Sequence, residues 1–459
     1  MSELSYAADL QLEECIITSV DGDKQNITDL VVRFDYFENI SLPTFEANLE
    51  LVDTGANLIS SLPIQGYEDI KITMVQIGDD DGKLKQVYNF KVFRIHSRFS
   101  GDRFQKYSLG LISAEALLNE SKRVGTILTG KGDGIVRKLL TEELGVAGDR
   151  IKTDPAMFKV RFFPGKKTPF SIIESMRMKT VAEDSKVNNS SNSVTGEFAK
   201  STGSAGYYFY QNVDGYYFNS IDRLNSIDKN PPVEIFTQET DAVAGASKQQ
   251  KILSIDFQQE IDILTKLRMG TFSNVICFYN YSTGAYEEYN YKLQDSFDDM
   301  EHLGSQSGLA KGQADLAATP SRIMSVLIDH ETWFDGVEVA SPEKPDGGKK
   351  NTAEFPDWQK NYIAQSIARL ESQNNQQVLI TVPIRLDLRV GSTVEIRIPN
   401  QIPTQDRQPD LYDPEHSGVY LVAKLNHACE TKARRANTYL TLVRDSYGRP
   451  NEESNTTTK

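Results

Sequence analysis

The sequence predicts an α+β protein, mainly β, in which two similar antiparallel β-barrel domains are separated by an inserted mixed α/β domain. Apolar and polar residues alternate with a period of two toward both ends of the chain, which is typical of half-buried strands. Helix caps and helical spacing dominate the region between them. The 459 residues are enough for about three domains of ~150 residues each.

The first barrel is predicted to span residues 1–115. Period-two alternation predicts strands at 45–52, 69–77, 87–95 and 107–111. The run Asp79-Asp80-Asp81-Gly82 separates the second of these strands from the third and is typical of a turn. Together these signals indicate a small antiparallel sheet or barrel.

The inserted domain is predicted at 116–248. Three helices are expected near its start: one from Ser113 to Asn119, one capped by Asp133, and one that begins at Thr168-Pro169, a good N-cap followed by proline. Two aromatic strands around Asp214-Gly215 predict a β-hairpin. The polar tract 183–206, rich in Ser, Asn and Gly, is expected to be a mobile loop.

The second barrel is predicted from two pieces, 249–299 and 374–446, in which the strand pattern returns. Residues 300–373 between them predict a loop-rich insertion and a helix capped by Asp357. Residues 447–459 are polar and are expected to form a flexible tail.

The charge and the cysteines limit the function classes. The chain has 50 basic and 64 acidic residues, and such an acidic protein is a poor nucleic-acid clamp because tight binding needs clustered cations. It can still be a protein that DNA merely passes, since a negative wall would prevent sticking. Cys15, Cys277 and Cys429 are too few and too far apart for a structural zinc site, and they favour a reducing compartment.

Targeting signals are also absent from the sequence pattern. The N-terminal residues lack the basic and apolar regions of a signal peptide. No apolar run approaches the ~20 residues that a membrane span requires. We therefore expect a protein made and folded in the cytoplasm, with no stable membrane insertion.

Several short motifs begin like catalytic signatures and then depart from them. Gly125–Lys131 has the spacing of a phosphate-binding loop, but Gly132 replaces the Ser or Thr that holds magnesium. His330 begins a zinc-protease motif, but Phe334 stands where the second His is needed. Adjacent carboxylates such as Glu287-Glu288 point to opposite faces of a strand and cannot act together. The sequence predicts no enzyme, no cofactor and no metal site.

Three groups of residues are candidate contact surfaces. Both faces of the hairpin around Asp214 are aromatic, so one face can enter the core and the other needs a cover, which favours a protein interface over a carbohydrate platform. The strand 45–52 and the basic turn near residue 434 are the other candidates, the latter as a salt-bridge point or a plain charged turn. The interface candidates are Tyr208, Tyr210, Tyr217, Phe45, Leu49, Arg434 and Arg435.

The order of the segments resembles a known family. FEANLELVDTGANLISSLPIQGYEDIKITM at 45–74 and GYYFYQNVDGYYF at 206–218 carry the resemblance in the first half of the chain. Residues 255–291, 358–399 and 417–445 carry it in the second half. Together they resemble the baseplate hub proteins of contractile-tailed (myovirus) phages, whose fold also occurs in the hub part of type VI secretion spike proteins.

The resemblance implies a structural role in the virion. A homotrimer with two tube-like barrels per copy would form a pseudo-sixfold ring that joins the tail tube to the central spike protein and leaves a channel for DNA ejection. Neighbouring copies would pair their edge strands. The implied partners are the tail tube protein, the spike, the tape-measure protein, baseplate wedge proteins and DNA in transit; the implied place is the tail baseplate, assembled in the host cytoplasm. Acidic side chains facing inward would make the channel negative. The alternatives are a tail-tip enzyme and a carbohydrate-binding tail protein.

Overall fold

The structure is a computed structural model, and it describes most of the chain. The described residues are 10–55, 64–77, 83–101, 104–156, 159–178, 180–182, 205–238, 250–259, 262–280, 284, 286–295, 297, 300–305, 315–328, 355–399, 412–433 and 435–448. The predicted turn at 79–82, the predicted tail from 449 onward, His330, Phe334 and all but two residues of the predicted loop 183–206 lie outside them.

The first strand set forms from the alternating segments of the N-terminal region. It comprises β1 (Leu10–Thr18), β2 (Lys24–Asn26), β3 (Val31–Asn39), β4 (Glu46–Asp53), β5 (Asp69–Ile77), β6 (Lys83–Ser100) and β7 (Gln105–Ile112). A short 3-10 helix, Thr28–Leu30, lies between β2 and β3. These strands confirm the alternation-based prediction, although β6 is longer than the segment 87–95 that the pattern indicated.

The inserted part mixes short helices and strands. It comprises α1 (Ala114–Ser121), β8 (Leu128–Lys131), α2 (Gly132–Lys138), β9 (Ile151–Thr153), β10 (Lys159–Phe162), α3 (Pro169–Arg177), β11 (Tyr207–Asn212), β12 (Gly215–Ser220) and α4 (Ile221–Asn225). Thr168 caps α3 as predicted, because its hydroxyl accepts a hydrogen bond from the Ser171 amide at 3.4 Å. Asp133, in contrast, lies inside α2, and its carboxylate accepts from the Ala156 amide instead.

The remaining elements complete a second strand set and a side sheet. They are β13 (Ile235–Thr237), β14 (Ser254–Gln259), α5 (Ile263–Met269), β15 (Ser273–Asn280), β16 (Tyr286–Lys292), β17 (Arg322–Ile328), α6 (Phe355–Ser372), β18 (Gln376–Pro383), β19 (Thr393–Arg397), β20 (Gly418–Glu430) and β21 (Arg435–Arg444). Helix α6 includes residue 357, so Asp357 is not its cap.

One sheet runs through both strand sets. Its order is β14-β18-β21-β20-β3-β4-β7-β6-β5-β1-β2, and all neighbours along this path are antiparallel. The two sets meet where β20 pairs with β3, from Lys424 opposite Asn39 to Glu430 opposite Arg33. A single hydrophobic core lies against this sheet and takes side chains from both sets, among them Phe34, Leu49 and Leu440. The mainly β fold with an inserted mixed region is as predicted.

The borders of the second set differ from the prediction. Only β14, within the predicted piece 249–299, pairs with the C-terminal strands. Strand β15 instead pairs with β16 on one side and with β17 on the other in a separate sheet, which packs its own small core against α6. Strand β13, predicted to lie in the inserted domain, pairs with β19. A local apolar pattern predicts where a short strand lies, but it does not predict which distant strand pairs with it. The borders therefore differ from those that the pattern indicated.

A buried carboxylate ties three parts of the chain together. Glu38 on β3 is 2% exposed and accepts hydrogen bonds from the Tyr36 hydroxyl and from the amides of Val213 and Val390, at 2.6, 3.2 and 2.8 Å. Val213 belongs to the hairpin turn and Val390 to the loop between β18 and β19. Burial raises the pKa of Glu38, while the nearby Arg389 and these hydrogen bonds counteract part of that rise.

Gln76 and Arg389 extend this cross-link. The Gln76 side chain on β5 donates to the Ile384 carbonyl at 2.5 Å and accepts from the Leu386 amide at 2.8 Å. Arg389 donates to Asp214 at 3.0 Å and to Gln86 at 2.6 Å. The loop 384–392 is therefore fixed at once by the first strand set and by the inserted hairpin.

Replacing Glu38 tests this cross-link. We expect Glu38→Ala to lower the free energy of unfolding by roughly 2–4 kcal/mol, because a buried amide, a partly buried amide and a buried hydroxyl lose their acceptor. Urea denaturation would measure the change. Glu46→Ala, an exposed carboxylate on the adjacent strand β4, is the matched control and should change the value by less than ~0.5 kcal/mol. Equal effects of the two substitutions would contradict the cross-link.

His427 gives a pH-dependent prediction at the β20–β3 junction. The ring is 1% exposed, stacks on Tyr36 and lies 2.9 Å from the Thr438 hydroxyl. Burial, reinforced by Arg389, lowers the pKa of His427 to about 3 from its usual 6.5. Since the unfolded chain takes up this proton first, the contribution is fully present above pH 6.5 and declines as the pH falls toward 3.

Between about pH 7 and pH 5 we expect this group to cost the native protein ~2 kcal/mol of unfolding free energy. His427→Gln should remove that part of the pH dependence in urea denaturation. His96→Gln, at an exposed site on β6, should keep it. Identical pH profiles for wild type and His427→Gln would show that His427 is not the responsible group.

Candidate assembly surface

Four of the predicted contact residues lie inside the chain's own core. Phe45 and Leu49 are 4% and 0% exposed, and Tyr208 and Tyr210 are 5% and 2% exposed. All four belong to the main hydrophobic core. These side chains cannot contact a neighbouring copy without unpacking the core, so their assignment to an interface was wrong.

The reason lies in how the aromatic hairpin of β11 and β12 is covered. Tyr207, Phe209 and Phe218 pack with α2 and α3 in the core of the inserted part. Tyr208 and Tyr210, on the opposite face, pack against the strand sets. Both faces are therefore covered within one chain, and the cover that the sequence analysis assigned to a neighbouring protein is intramolecular.

The other candidates have different positions. Tyr217 is partly exposed, stacks on Tyr210 with ring centroids 5.1 Å apart, and accepts a hydrogen bond from Lys152 at 2.9 Å. Arg435 is exposed on β21, opposite Glu430. Arg434 lies outside the described residues. An interface role for these three residues stays a prediction.

Two strand edges form a further candidate surface, and none of their residues was among the predicted contact residues. Strand β14 pairs with β18 along one edge, and among the described residues no strand pairs with its other edge. Strand β6 pairs with β5 only as far as Lys91, so that from Phe93 to Ser100 its described partner is β7 alone. These are the two ends of a continuous run of eight strands: β14, β18, β21, β20, β3, β4, β7 and β6.

The β6 edge is also rich in exposed apolar side chains. Phe93, Ile95 and Phe99 are 36%, 43% and 60% exposed, and Phe104 in the following turn is 42% exposed. An exposed edge with apolar side chains is a template for pairing with another strand, and native proteins usually protect such edges. The edge of β6 is therefore a candidate contact with another chain.

The directions of the strands fit this interpretation. All neighbours in the eight-stranded run are antiparallel, and because eight is an even number the two outermost strands point in opposite directions. The open edge of β6 in one copy could then lie beside β14 of the next copy and continue the antiparallel alternation. Such a head-to-tail contact uses two different surfaces of each copy.

One face of the eight-stranded run is covered by the core, and the opposite face carries charges of both signs. Lys106 binds Glu50 across two strands at 2.9 Å, and Arg33 binds Asp35 at 2.7 Å. The strand registers place six basic and five acidic residues on this face: Arg33, Lys91, Arg94, Lys106, Lys424 and Arg435, with Asp35, Glu46, Glu50, Asp256 and Glu430. The face is close to neutral rather than acidic.

In the part of the chain that the structure describes, we identify no catalytic or metal-binding site. There, no group of three or more His, Cys, Asp or Glu residues could hold a metal ion. The three cysteines are buried, and burial raises the pKa of Cys15 to about 12, which keeps it a thiol. Gly125–Lys131 precedes the helix α2, but its last four residues form the paired strand β8 and not the loop that holds a phosphate. No helix among the described residues is long and apolar enough to cross a membrane.

Comparison with known proteins yields structural likeness only. No protein-family model and no curated protein matches the sequence. Among solved structures, the tail protein from Neisseria meningitidis MC58 is 11% identical, with 94% of this chain and 96% of that chain covered and a TM-score of 0.50. This chain therefore has the fold of that tail protein, as the resemblance implied.

Two further solved structures are similar at lower scores. The 43 kDa tail protein of prophage MuSo2 from Shewanella oneidensis is 8% identical, with 95% and 100% of the two chains covered and a TM-score of 0.48. An E. coli component of the type VI secretion system, described as similar to the T4 bacteriophage tail proteins gp27 and gp5, is 10% identical, with 96% and 79% covered and a TM-score of 0.40.

Truncation of Tyr208 distinguishes a core residue from an interface residue. We expect Tyr208→Ala to lower the unfolding free energy of the isolated chain by roughly 3–5 kcal/mol, because a large buried ring leaves a cavity. Thermal or urea unfolding would measure this. Tyr286→Ala, at a site 57% exposed, is the control and should cost less than ~1 kcal/mol. A Tyr208→Ala chain as stable as wild type would restore the interface assignment.

Proposed function

We propose that this chain, which has the fold of a phage tail protein, is a structural subunit of the tail baseplate. Three copies would form a hub ring that joins the tail tube to the central spike. The observation that carries the proposal is the eight-stranded antiparallel run with an open edge at each end. The fold shared with the Neisseria tail protein supports the same role.

Three copies supply the strands of a closed barrel. Joining β6 of each copy to β14 of the next would give 24 antiparallel strands with no free edge. At ~4.8 Å between strands and a tilt of ~40°, such a barrel has a backbone diameter of ~50 Å. Side chains on the inner face would leave a bore of roughly 30 Å, which is wide enough for a DNA duplex to pass.

The same run explains how a trimer could meet a sixfold tube. Each copy contributes four strands from its second set (β14, β18, β21 and β20) and four from its first set (β3, β4, β7 and β6). Three copies therefore place six four-stranded units around the ring. A sixfold tube and a threefold spike could each bind one rim of such a ring.

The charged face of the run would line the bore. Its six basic and five acidic residues favour a nearly neutral wall, whereas acidic side chains alone would have made the channel negative. Paired charges such as Lys106 with Glu50 offer no continuous cationic track for phosphates. DNA and the tape-measure protein could move along such a wall without being held.

The rival roles have less support in the structure. A carbohydrate platform on the aromatic hairpin requires exposed rings, but Tyr208 and Tyr210 are buried. A tail-tip enzyme requires a catalytic carboxylate pair in a cleft, and the described residues offer no such arrangement that we identify. Tube, spike, tape-measure and wedge proteins remain the proposed partners, within the virion tail.

Engineered disulfides test the ring. Ser97→Cys on β6 combined with Ser254→Cys on β14, or with Asp256→Cys on the same strand, places one thiol on each open edge. The native cysteines are buried and should not compete. On oxidation of the purified chain together with a spike protein, we expect cross-linked species that stop at three chains on denaturing gels.

The control pairs Ser97→Cys with Val20→Cys, a residue that is 65% exposed near β1, at the far end of the sheet. This pair should stay monomeric on the gel. Absence of interchain cross-links from both edge pairs would refute the ring. A ladder extending beyond three chains would also refute it, because head-to-tail contacts that do not close produce a filament.

A further inference from the structure

The inserted part carries a strongly basic surface that the ring model does not use. We define it as residues 122–131 and 159–167 and refer to it as the basic ribbon. It contains seven Lys or Arg residues and no Asp or Glu, in a chain where acidic residues exceed basic ones by 14. Strand β8 pairs with β10, and Val124 bridges Lys167, so the two segments form one continuous ribbon.

The ribbon has an inner and an outer face. Val124 and Leu128 are 3% and 2% exposed and pack into the core of the inserted part. On the outer face Lys131 lies directly opposite Lys159, and Arg161 follows on the same face, opposite Thr129. Like charges placed opposite each other on neighbouring strands repel and destabilise the pair. Three cations of the ribbon therefore lie close together on one face.

Two exposed apolar side chains lie in the middle of the ribbon, between the β8–β10 ladder and the Val124–Lys167 bridge. Phe163 and Ile127 are 60% and 57% exposed, and they directly follow the last register pair, Phe162 opposite Leu128. The turn beyond them presents Lys166 in a left-handed backbone conformation, with φ of 58°. Non-glycine residues adopt this conformation rarely. The ribbon thus carries an apolar pair close to exposed lysines.

The composition favours one class of partner. Lysine is depleted in protein–protein interfaces, whereas five of the seven cations of the ribbon are lysines. Binding to single-stranded nucleic acid uses several stacked aromatic rings, and the outer face presents one exposed ring, Phe163. Clustered lysines beside an aliphatic and an aromatic side chain suit the interface of an anionic bilayer, in which the cations meet headgroups and the apolar groups enter the acyl boundary.

We propose that the basic ribbon binds anionic lipid surfaces peripherally. The proposal goes beyond the hub role and does not depend on the ring. If the ring forms, three ribbons per particle would act together, and multivalent attachment would be much stronger than that of one copy. Binding of this kind needs no membrane-spanning segment.

Sedimentation with vesicles tests the proposal. The full chain should sediment with phosphatidylcholine vesicles that contain phosphatidylglycerol and should stay in solution with phosphatidylcholine alone. Raising the salt from about 0.1 M to about 1 M should release it, because the screening length falls from ~10 Å to ~3 Å. The doubly substituted Lys166→Glu/Lys167→Glu chain should bind at least ~10-fold more weakly, and Phe163→Ala several-fold more weakly.

Matched substitutions outside the ribbon provide the controls. Lys24→Glu/Lys432→Glu makes the same charge change at two exposed sites, and Leu253→Ala removes an apolar side chain that is 56% exposed. Both should bind vesicles like wild type, and circular dichroism should show that every variant is folded.

Three outcomes would overturn the proposal. The first is equal binding to both kinds of vesicle. The second is an equal loss of binding in the ribbon variants and the controls. The third is displacement from vesicles by inorganic phosphate at constant ionic strength, which would indicate a site for free phosphate. The edge cross-links report on the ring alone, so failure of either proposal can be distinguished from failure of the other.

Discussion

The architecture depends on the pairing of β20 with β3. This ladder joins strands that are almost four hundred residues apart in the chain, and without it the two strand sets would be separate sheets. Tyr36 and His427, on opposite sides of the ladder, stack within the common core. Because that core is continuous across the junction, the two sets cannot rotate against each other without exposing apolar surface. The relative position of the two open edges is fixed in the same way.

Buried polar groups give the junction its specificity. Apolar packing alone does not fix how two packed segments are aligned, because one apolar side chain can replace another of similar size in a contact at little cost. Glu38 and Gln76 each accept backbone amide hydrogen bonds from the loop 384–392, and such bonds are directional. A shift of even one residue would leave these amides unpaired in the interior, which is costly. The hydrogen bonds therefore select one register from the many that the hydrophobic residues would allow.

The sequence predicted local structure well and long-range partnership poorly. Alternation and turn chemistry identified the hairpin of β11 and β12 and the cap of α3, because both are determined within a few residues. Whether β15 pairs with β17 or with the C-terminal strands depends on contacts that no local pattern records. The same limit explains Tyr208: its aromatic pattern showed that the ring needs a cover, and it did not show whether that cover belongs to the same chain.

The joint between copies can be compared with the joint inside one copy. At the β20–β3 junction, seven residues of each strand pair in an antiparallel ladder between two four-stranded units. At the proposed seam, β14 offers six residues, and β6 offers a longer open stretch from Phe93 to Ser100. Both joints connect the second set of strands to the first, and both continue the antiparallel alternation. If four strands from each set are equivalent units, the chain already contains one of the two contacts that a ring needs, and the second requires no new kind of interaction. The exposed Phe93, Ile95 and Phe99 then have a physical role, because a strand laid along β6 would cover apolar surface that the isolated chain leaves in water.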